Sequence, residues 1–363
     1  MLEPWLELPG ATDLVTRWSD LAGLDLRAAG CSWPAEDIRD TAVAQPLLTV
    51  MALLSGRALL GGAVPGAVCG HSVGELPALA LAGVISDDEA VSLAALRGRA
   101  MADAALVSPT GMAAVLGGDG EDVRAAAIRH GLEVATVNLS GQIVLGGPMD
   151  ALAALVASPP PGTRVKLLEV AGAFHTSAMA PARDRFAAAL NTLSPVPPST
   201  TVIANRDGGI VTDGTEALTR LLDQLTAPVR FDRCLATLAE LGVGAVVELA
   251  PGGTLTALAK RALPDLERVA LRTPADLPAA RALLRVVGDH PHLEWQALPS
   301  PDNGVVDPLC AVGQKLAQGD PVAVVAGRSG ASTVLAPTAG TLTEWLVSPG
   351  DPVRTGQLLA VLG

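Results

Sequence analysis

Apolar positions change their period several times along this chain, and the changes divide it into regions. Thr41 to Leu60 carries apolar residues at helical spacing. Gly66 to Cys69 is a short apolar run ending at a glycine, the pattern of a buried strand. Val73 to Leu81 and Asp87 to Ala105 then read as helices. Ser86, with Glu89 three residues later, is a capping-box signature for the second of them. From 111 to 170 the order differs. Gly111 to Leu116 is strand-like and Asp122 to Arg129 helical; Val134 to Asn138 and Ile143 to Leu145 are strand-like around a Ser140-Gly141 turn; Met149 to Val156 is helical and Arg164 to Val170 strand-like. That β-α-β-β-α-β order is the split unit of a ferredoxin-like subdomain. It lies between two α/β portions, which makes it an insert covering about residues 109–171. Residues 181–287 return to α/β, with Thr201 to Ala204 and Ala245 to Leu249 as the clearest strands.

After Gly288 the pattern shifts again. His290-Pro291-His292 and Leu298-Pro299-Ser300-Pro301 predict a linker over 288–303. Beyond it, Gly313-x-x-Leu316-x-x-Gly319 followed by Val322 to Val325 is echoed by Gly350-x-x-Val353-x-x-Gly356 followed by Leu358 to Val361. Two similar halves of short strands and glycine turns predict a small all-β domain over 304–363.

Composition narrows the function. A formal net charge of −12 without a basic run argues against nucleic-acid binding. The four cysteines (Cys31, Cys69, Cys234 and Cys310) form no C-x-x-C pair, which fits a reducing cytoplasm and implies no metal site. No basic segment leading into an apolar stretch marks a signal peptide. No uninterrupted apolar run reaches the length of a membrane span, so no membrane association is expected.

Gly70-His71-Ser72-Val73-Gly74 matches G-x-S-x-G between a predicted strand and a predicted helix. In that context a serine is presented outward on a tight turn, flanking glycines relieve crowding, and the Val73 N–H at the helix start can face an oxyanion. A serine needs a base. Among the five histidines, His130 reads as a surface residue of the insert, His290 and His292 fall in the linker, and His71 adjoins the nucleophile. His175, within Gly172-Ala173-Phe174-His175-Thr176-Ser177-Ala178-Met179, is the candidate base; the alternative is a loop histidine capping a helix.

With G-H-S-V-G-E at 70–75, R-G-R-A-M at 97–101 and G-A-F-H-T-S-A-M at 172–179, residues 1–287 resemble the malonyl-CoA:acyl carrier protein transacylases. The resemblance implies a hydrolase-like parallel sheet interrupted by the ferredoxin-like insert. It also implies transfer of a malonyl group from malonyl-CoA to the phosphopantetheine thiol of an acyl carrier protein, in fatty acid or polyketide biosynthesis. By the same resemblance Ser72 is the nucleophile and His175 its base. Gln224, through its backbone carbonyl, and Asn205 are base-orienting; Arg97 clamps the malonyl carboxylate; Phe174 and His71 lie on the substrate side. Phe174 is expected to favour malonyl over methylmalonyl, since a ring there occupies the space of a branched α-carbon. A guanidinium is a planar fork suited to a carboxylate, whereas by the sequence alone Arg97 also reads as a solvated helix arginine. No metal or redox cofactor is implied.

Two departures set further expectations. The family's F-P-G-Q-G-S-Q segment, which supplies a second oxyanion donor, has no counterpart here; Leu8-Pro9-Gly10-Ala11 reads as a helix boundary. One missing donor is worth about 10²–10³ in turnover, so the expectation is an upstream start or a weakened enzyme. The loop Asn138-Leu139-Ser140-Gly141-Gln142 is shorter than is usual for the family. At the other end, residues 304–363 resemble a biotinyl/lipoyl domain through Ala336-Pro337-Thr338-Ala339-Gly340. Ser329 stands where the attachment lysine belongs and the one lysine, Lys315, lies in the other half, so neither biotin nor lipoate is expected. The competing functional readings are an α/β serine hydrolase and a non-catalytic scaffold.

Overall fold

The computed structural model describes residues 1–284, 296–327, 330–345, 347–355 and 358–362. Four helices come first: α1 (Ala11–Ala22), α2 (Leu26–Cys31), α3 (Ala35–Ile38) and α4 (Thr41–Leu60). Gly10, at φ 76°, opens α1, so the Leu8–Ala11 stretch is a helix boundary as read. Strand β1 (Ala67–Cys69) follows, then α5 (Glu75–Leu81) and α6 (Asp87–Ala105). The Ser86–Glu89 capping box is formed in both directions. The helix predicted from Val73 instead begins at Glu75, preceded by a tight turn over Ser72–Gly74. Ser72 has φ 54°, which no helical residue adopts, so the helix cannot start until the turn is complete.

The next elements are β2 (Thr110–Gly117), α7 (Gly120–His130), β3 (Glu133–Leu139), β4 (Gln142–Pro148), α8 (Met149–Ala157) and β5 (Thr163–Leu167). Their sheet runs β5-β2-β4-β3 and is antiparallel throughout. Its helices pack on one core that includes Val115, Val123, Leu145 and Leu152. The chain continues through α9 (Ala180–Leu190), β6 (Thr201–Ile203), β7 (Ile210–Val211), α10 (Gly214–Asp223), β8 (Val229–Arg230), α11 (Phe231–Glu240), β9 (Ala245–Glu248), α12 (Thr254–Ala262), β10 (Glu267–Ala270) and α13 (Leu277–Leu283). Strand β8 adds parallel to β3 and ties the inserted sheet to the body.

The expected single parallel sheet is divided among the described residues. β1 pairs parallel with β6, β7 joins β6 antiparallel, and β9 pairs with β10 in a separate two-stranded sheet. No described strand hydrogen-bonds both β1 and β9, and both strands remain half-exposed. The main core is therefore helical: Trp5, Trp18, Leu47, Met51, Leu76, Met101 and Phe186 are all buried in it. Helix α4 is long and apolar enough to cross a membrane by length and composition, but it is this core's central helix, packed on α6.

The last region forms two four-stranded sheets from β11 (Gln296–Pro299), β12 (Gly304–Pro308), β13 (Lys315–Leu316), β14 (Pro321–Gly327), β15 (Gly330–Leu335), β16 (Gly340–Trp345), β17 (Pro352–Val353) and β18 (Leu358–Leu362). One departure from expectation concerns the linker. β11 lies inside the stretch read as linker and pairs antiparallel with β18, because Leu298 reaches the small core between the sheets and is buried there. The echoed glycines Gly313, Gly319 and Gly350 share φ 88°, a left-handed turn that glycine adopts without strain. His290, His292 and Ser329 lie outside the described residues.

Candidate active site

β1 leads directly into the tight turn that carries Ser72. A Cβ on Gly70 would sit 2.0 Å from the carbonyl carbon and oxygen of Gly74, so only glycine fits there. Gly74 is different. A Cβ there meets nothing within 4 Å and its φ is −61°, so crowding does not require the second glycine of the motif. Ser72 itself is held at φ 54°, a left-handed backbone costing roughly 1–2 kcal/mol for a non-glycine residue. Asn205, just beyond β6, secures that turn. Its Oδ1 accepts the Ser72 N–H at 2.7 Å and its Nδ2 donates to the Gly70 carbonyl at 2.6 Å. The parallel pairing of β1 with β6 brings the two segments together.

His175 sits on a loop after β5, also at positive φ (61°). Thr176 braces this loop by donating to the Ala173 carbonyl, and Glu133 of β3 accepts from the Ser177 backbone N–H. The imidazole is buried between two partners: Nδ1 is 2.7 Å from the Gln224 carbonyl and Nε2 is 2.7 Å from Ser72 Oγ. A carbonyl only accepts, so Nδ1 carries the proton and Nε2 offers a lone pair to the serine hydroxyl. Burial, and next the nearby Arg97 charge, push the His175 pKa down to about 3, which keeps the ring neutral.

Beneath the pair lies a buried polar cluster. Arg97 of α6 has no exposed surface. Its Nη1 donates to Gln45 Oε1 at 2.6 Å and its Nη2 to Gln224 Oε1 at 2.7 Å, with Ser72 Oγ at 3.3 Å. Its Nε has no partner. Burial lowers the Arg97 pKa to about 10, partly offset by Glu75. Glu75, the first residue of α5, accepts the Asn205 backbone N–H at 2.6 Å and Gln224 Nε2 at 2.5 Å; burial raises its pKa to about 7.

The predicted residues converge. Asn205, expected to orient the base, holds the nucleophile turn, and its Oδ1 also accepts from Nε2 of Gln224, whose carbonyl meets His175 Nδ1. His71 makes its side-chain bond to Asn138 of the inserted unit, Nε2 to Oδ1 at 2.8 Å, and its ring lies 5.3 Å from that of Phe231. Its pKa is lowered by burial. The short 138–142 loop thus still reaches the turn. Phe174 is half-buried where the main core meets the apolar cluster of the inserted sheet, beside His175. Val73 follows the nucleophile in the tight turn. Sequence reasoning missed Gln45 and the part played by Glu75. The signal for Gln45 was a lone amide within an apolar helix, four residues after Thr41. Among the described residues no group of three His, Cys, Asp or Glu side chains is arranged to hold a metal ion.

The acyl transferase domain family matches residues 19–282. The chain is 49% identical over 281 residues to the malonyl CoA-acyl carrier protein transacylase of Mycobacterium tuberculosis, covering 76% of this chain and 93% of that protein. It is 47% identical over 284 residues to the protein of that name from Mycolicibacterium smegmatis, covering 76% and 98%. Among solved structures, MCAT from Mycobacterium tuberculosis superposes with a TM-score of 0.75 at 48% identity, over 77% of this chain and 94% of that one. A malonyl-transacylase in complex with its type II PKS acyl-carrier protein superposes with a TM-score of 0.72 at 30% identity, over 78% and 94%.

Proposed function

The chain belongs to the malonyl CoA-acyl carrier protein transacylase family, and from that premise we propose that Ser72, His175 and Arg97 carry the transfer. The protein is an acyltransferase that moves a malonyl group from malonyl-CoA to an acyl carrier protein. In the first half-reaction His175 Nε2 takes the Ser72 proton as Oγ attacks the thioester carbonyl. The Val73 N–H faces the developing oxyanion, and collapse expels coenzyme A as its thiol with the proton from His175. In the second, His175 takes the proton of the carrier's phosphopantetheine thiol, the sulfur attacks the Ser72 ester, and the serine hydroxyl is restored.

One observation carries this reading. Ser72 Oγ lies 2.7 Å from a neutral imidazole nitrogen and 3.3 Å from a fully buried guanidinium. The guanidinium forms no ion pair among the described residues, so it suits an acyl group that brings its own carboxylate. The Gln224 carbonyl keeps the His175 tautomer correct without an acid side chain. Phe174, at the junction of the two cores, limits room at the α-carbon, and His71 on its Asn138 bridge lies on the substrate side.

The test is coenzyme A release from malonyl-CoA with and without holo-acyl carrier protein. A single-turnover release that becomes continuous only when carrier is added supports transfer. Continuous release without carrier would identify a hydrolase.

We also read residues 109–171 as a ferredoxin-like insert, supported by the β5-β2-β4-β3 strand order. The 304–363 region is read as an unmodified biotinyl/lipoyl-like domain, supported by its paired four-stranded sheets and matching glycine turns. Intact mass carrying biotin or lipoate would overturn the second of these. A cytoplasmic setting is supported by four free cysteines.

A further inference from the structure

Asp223 ends α10, where the last carbonyls of a helix favour a cation and penalise an anion. Two guanidinium groups offset that penalty. Its Oδ1 accepts from Arg183 Nη2 at 2.9 Å and its Oδ2 from Arg206 Nη1. Each of the three residues neighbours a segment of the site. Arg183 lies on α9, which follows the His175 loop. Arg206 comes directly after Asn205 in the chain, and Asp223 directly before Gln224. One carboxylate therefore ties together the segments that carry the base, the support of the nucleophile turn and the carbonyl on His175 Nδ1. The Arg206 end is a fixed post. The turn after β6 is closed by the Gly208 N–H donating to the Ala204 carbonyl at 2.9 Å, and Thr237 of α11 donates to the Gly208 carbonyl at 2.7 Å. A Cβ on Gly208 would stand 2.6 Å from the Arg233 carbonyl carbon, so the turn lies flat on α11. Asp207 in the same turn accepts from Arg220 of α10 at 2.7 Å. Asp223 anchors the end of α10, and with it Gln224, to this post.

We propose that Asp223 is a positioning residue for the transfer: shared between Arg183 and Arg206, it holds the Gln224 carbonyl and α9 in the register that keeps His175 Nε2 on Ser72 Oγ. The inference rests on the reading of His175 as the base. Exposed ion pairs are individually weak, and here the Asp223 side chain is 24% exposed and its two arginines 38% and 51%. Their effect is geometric. Three segments share one anion, and a shift of any one of them disturbs the 2.7 Å contacts on either side of the imidazole. A partly exposed network is also screened by salt, whereas the bonds of the buried Asn205, Gln224 and Glu75 are screened much less. The Ser72–His175 pair therefore acquires a salt dependence from a carboxylate that touches neither residue.

The test is the acylation burst at saturating malonyl-CoA, followed by rapid quench between about 0.01 M and 1 M salt, over which the screening length falls from about 30 Å to about 3 Å. The full chain is compared with Asp223→Asn, Arg206→Gln, their double variant and His175→Ala. Asp223→Asn keeps the shape of the side chain and is expected to slow the low-salt burst about 3- to 10-fold at an unchanged half-saturating malonyl-CoA concentration. The wild-type burst should slow toward the Asp223→Asn value as salt rises, while the Asp223→Asn burst stays level. The double variant should be no slower than Asp223→Asn, since Arg206 acts only through the carboxylate. A low-salt Asp223→Asn burst equal to wild type, or losses that multiply in the double variant, would overturn the proposal. So would a slower Asp223→Asn that keeps the wild-type salt profile, the mark of a general loss of packing. If Asp223→Asn does not fold, Arg206→Gln decides by its low-salt burst and its salt profile. A His175→Ala burst as fast as wild type would instead overturn the base reading beneath.

Discussion

Replacing Asn205 by alanine strikes the nucleophile turn without touching Ser72 or His175. Asn205 is fully buried and its side chain serves both sides of the turn, accepting from the Ser72 N–H and donating to the Gly70 carbonyl. Truncation leaves two backbone groups without partners, at about 1–3 kcal/mol each. Ser72 is half-buried, so water can satisfy part of this, and a net loss of about 2–4 kcal/mol follows. At about 2–4 °C per kcal/mol, Tm should fall by roughly 5–15 °C. The kinetic effect is larger. The same two bonds hold Ser72 at φ 54°, and once they are gone the backbone can relax and carry Oγ away from His175 Nε2. A displacement of about 1 Å costs on the order of 10²-fold in rate. Thermal melting and rapid-quench measurement of the acylation burst give the two numbers. An Asn205→Ala variant with wild-type melting and a wild-type burst would refute the argument that this residue holds the turn.

Other consequences can be checked in the same assays. Arg97→Ala should lose malonyl transfer far more than acetyl transfer; equal losses would remove the clamp. Gly74→Ala should keep most activity, since its Cβ meets open space, whereas Gly70→Ala should lose at least about 10²-fold because its Cβ collides with the turn backbone. The pH dependence has a definite sign. His175 is neutral in the folded state down to about 3, below its unfolded value of 6.5. The unfolded chain therefore binds a proton first, and His175 removes stability as pH falls from 6.5 toward 3. Denaturant titrations should show His175→Gln losing less stability over that interval than wild type. Acylation kinetics should show no acid limb near 6.5; a limb near 7 would belong to Glu75 and should vanish in Glu75→Gln.

The chemistry was more legible in the sequence than the packing around it. Ser72 and His175 stand in local motifs whose backbone geometry demands particular residues, and each element from Thr41 to Leu167 lies within a few positions of its apolar pattern. Gln45 was hidden because its meaning depends on a residue 52 positions away across a helix pair, and an apolar pattern records a polar residue only as an interruption. Asn205 was placed in the site, but its hold on the nucleophile turn was not foreseen, since β1–β6 pairing, invisible to local reading, decides what it reaches. Pro299 and Pro301 made β11 look like linker. A two-sheet core that recruits Leu298 outweighs that composition, and the strand sits at its sheet's edge, where proline is tolerated.

The covalent intermediate tests the central claim most directly. The full chain is mixed with malonyl-CoA alone, quenched, and read by intact mass and peptide mapping. The expected result is one malonyl group on the peptide containing Ser72, absent from Ser72→Ala and discharged when holo-acyl carrier protein is added. A chain that releases coenzyme A without any adduct on Ser72, or an adduct that the carrier cannot discharge, would contradict it.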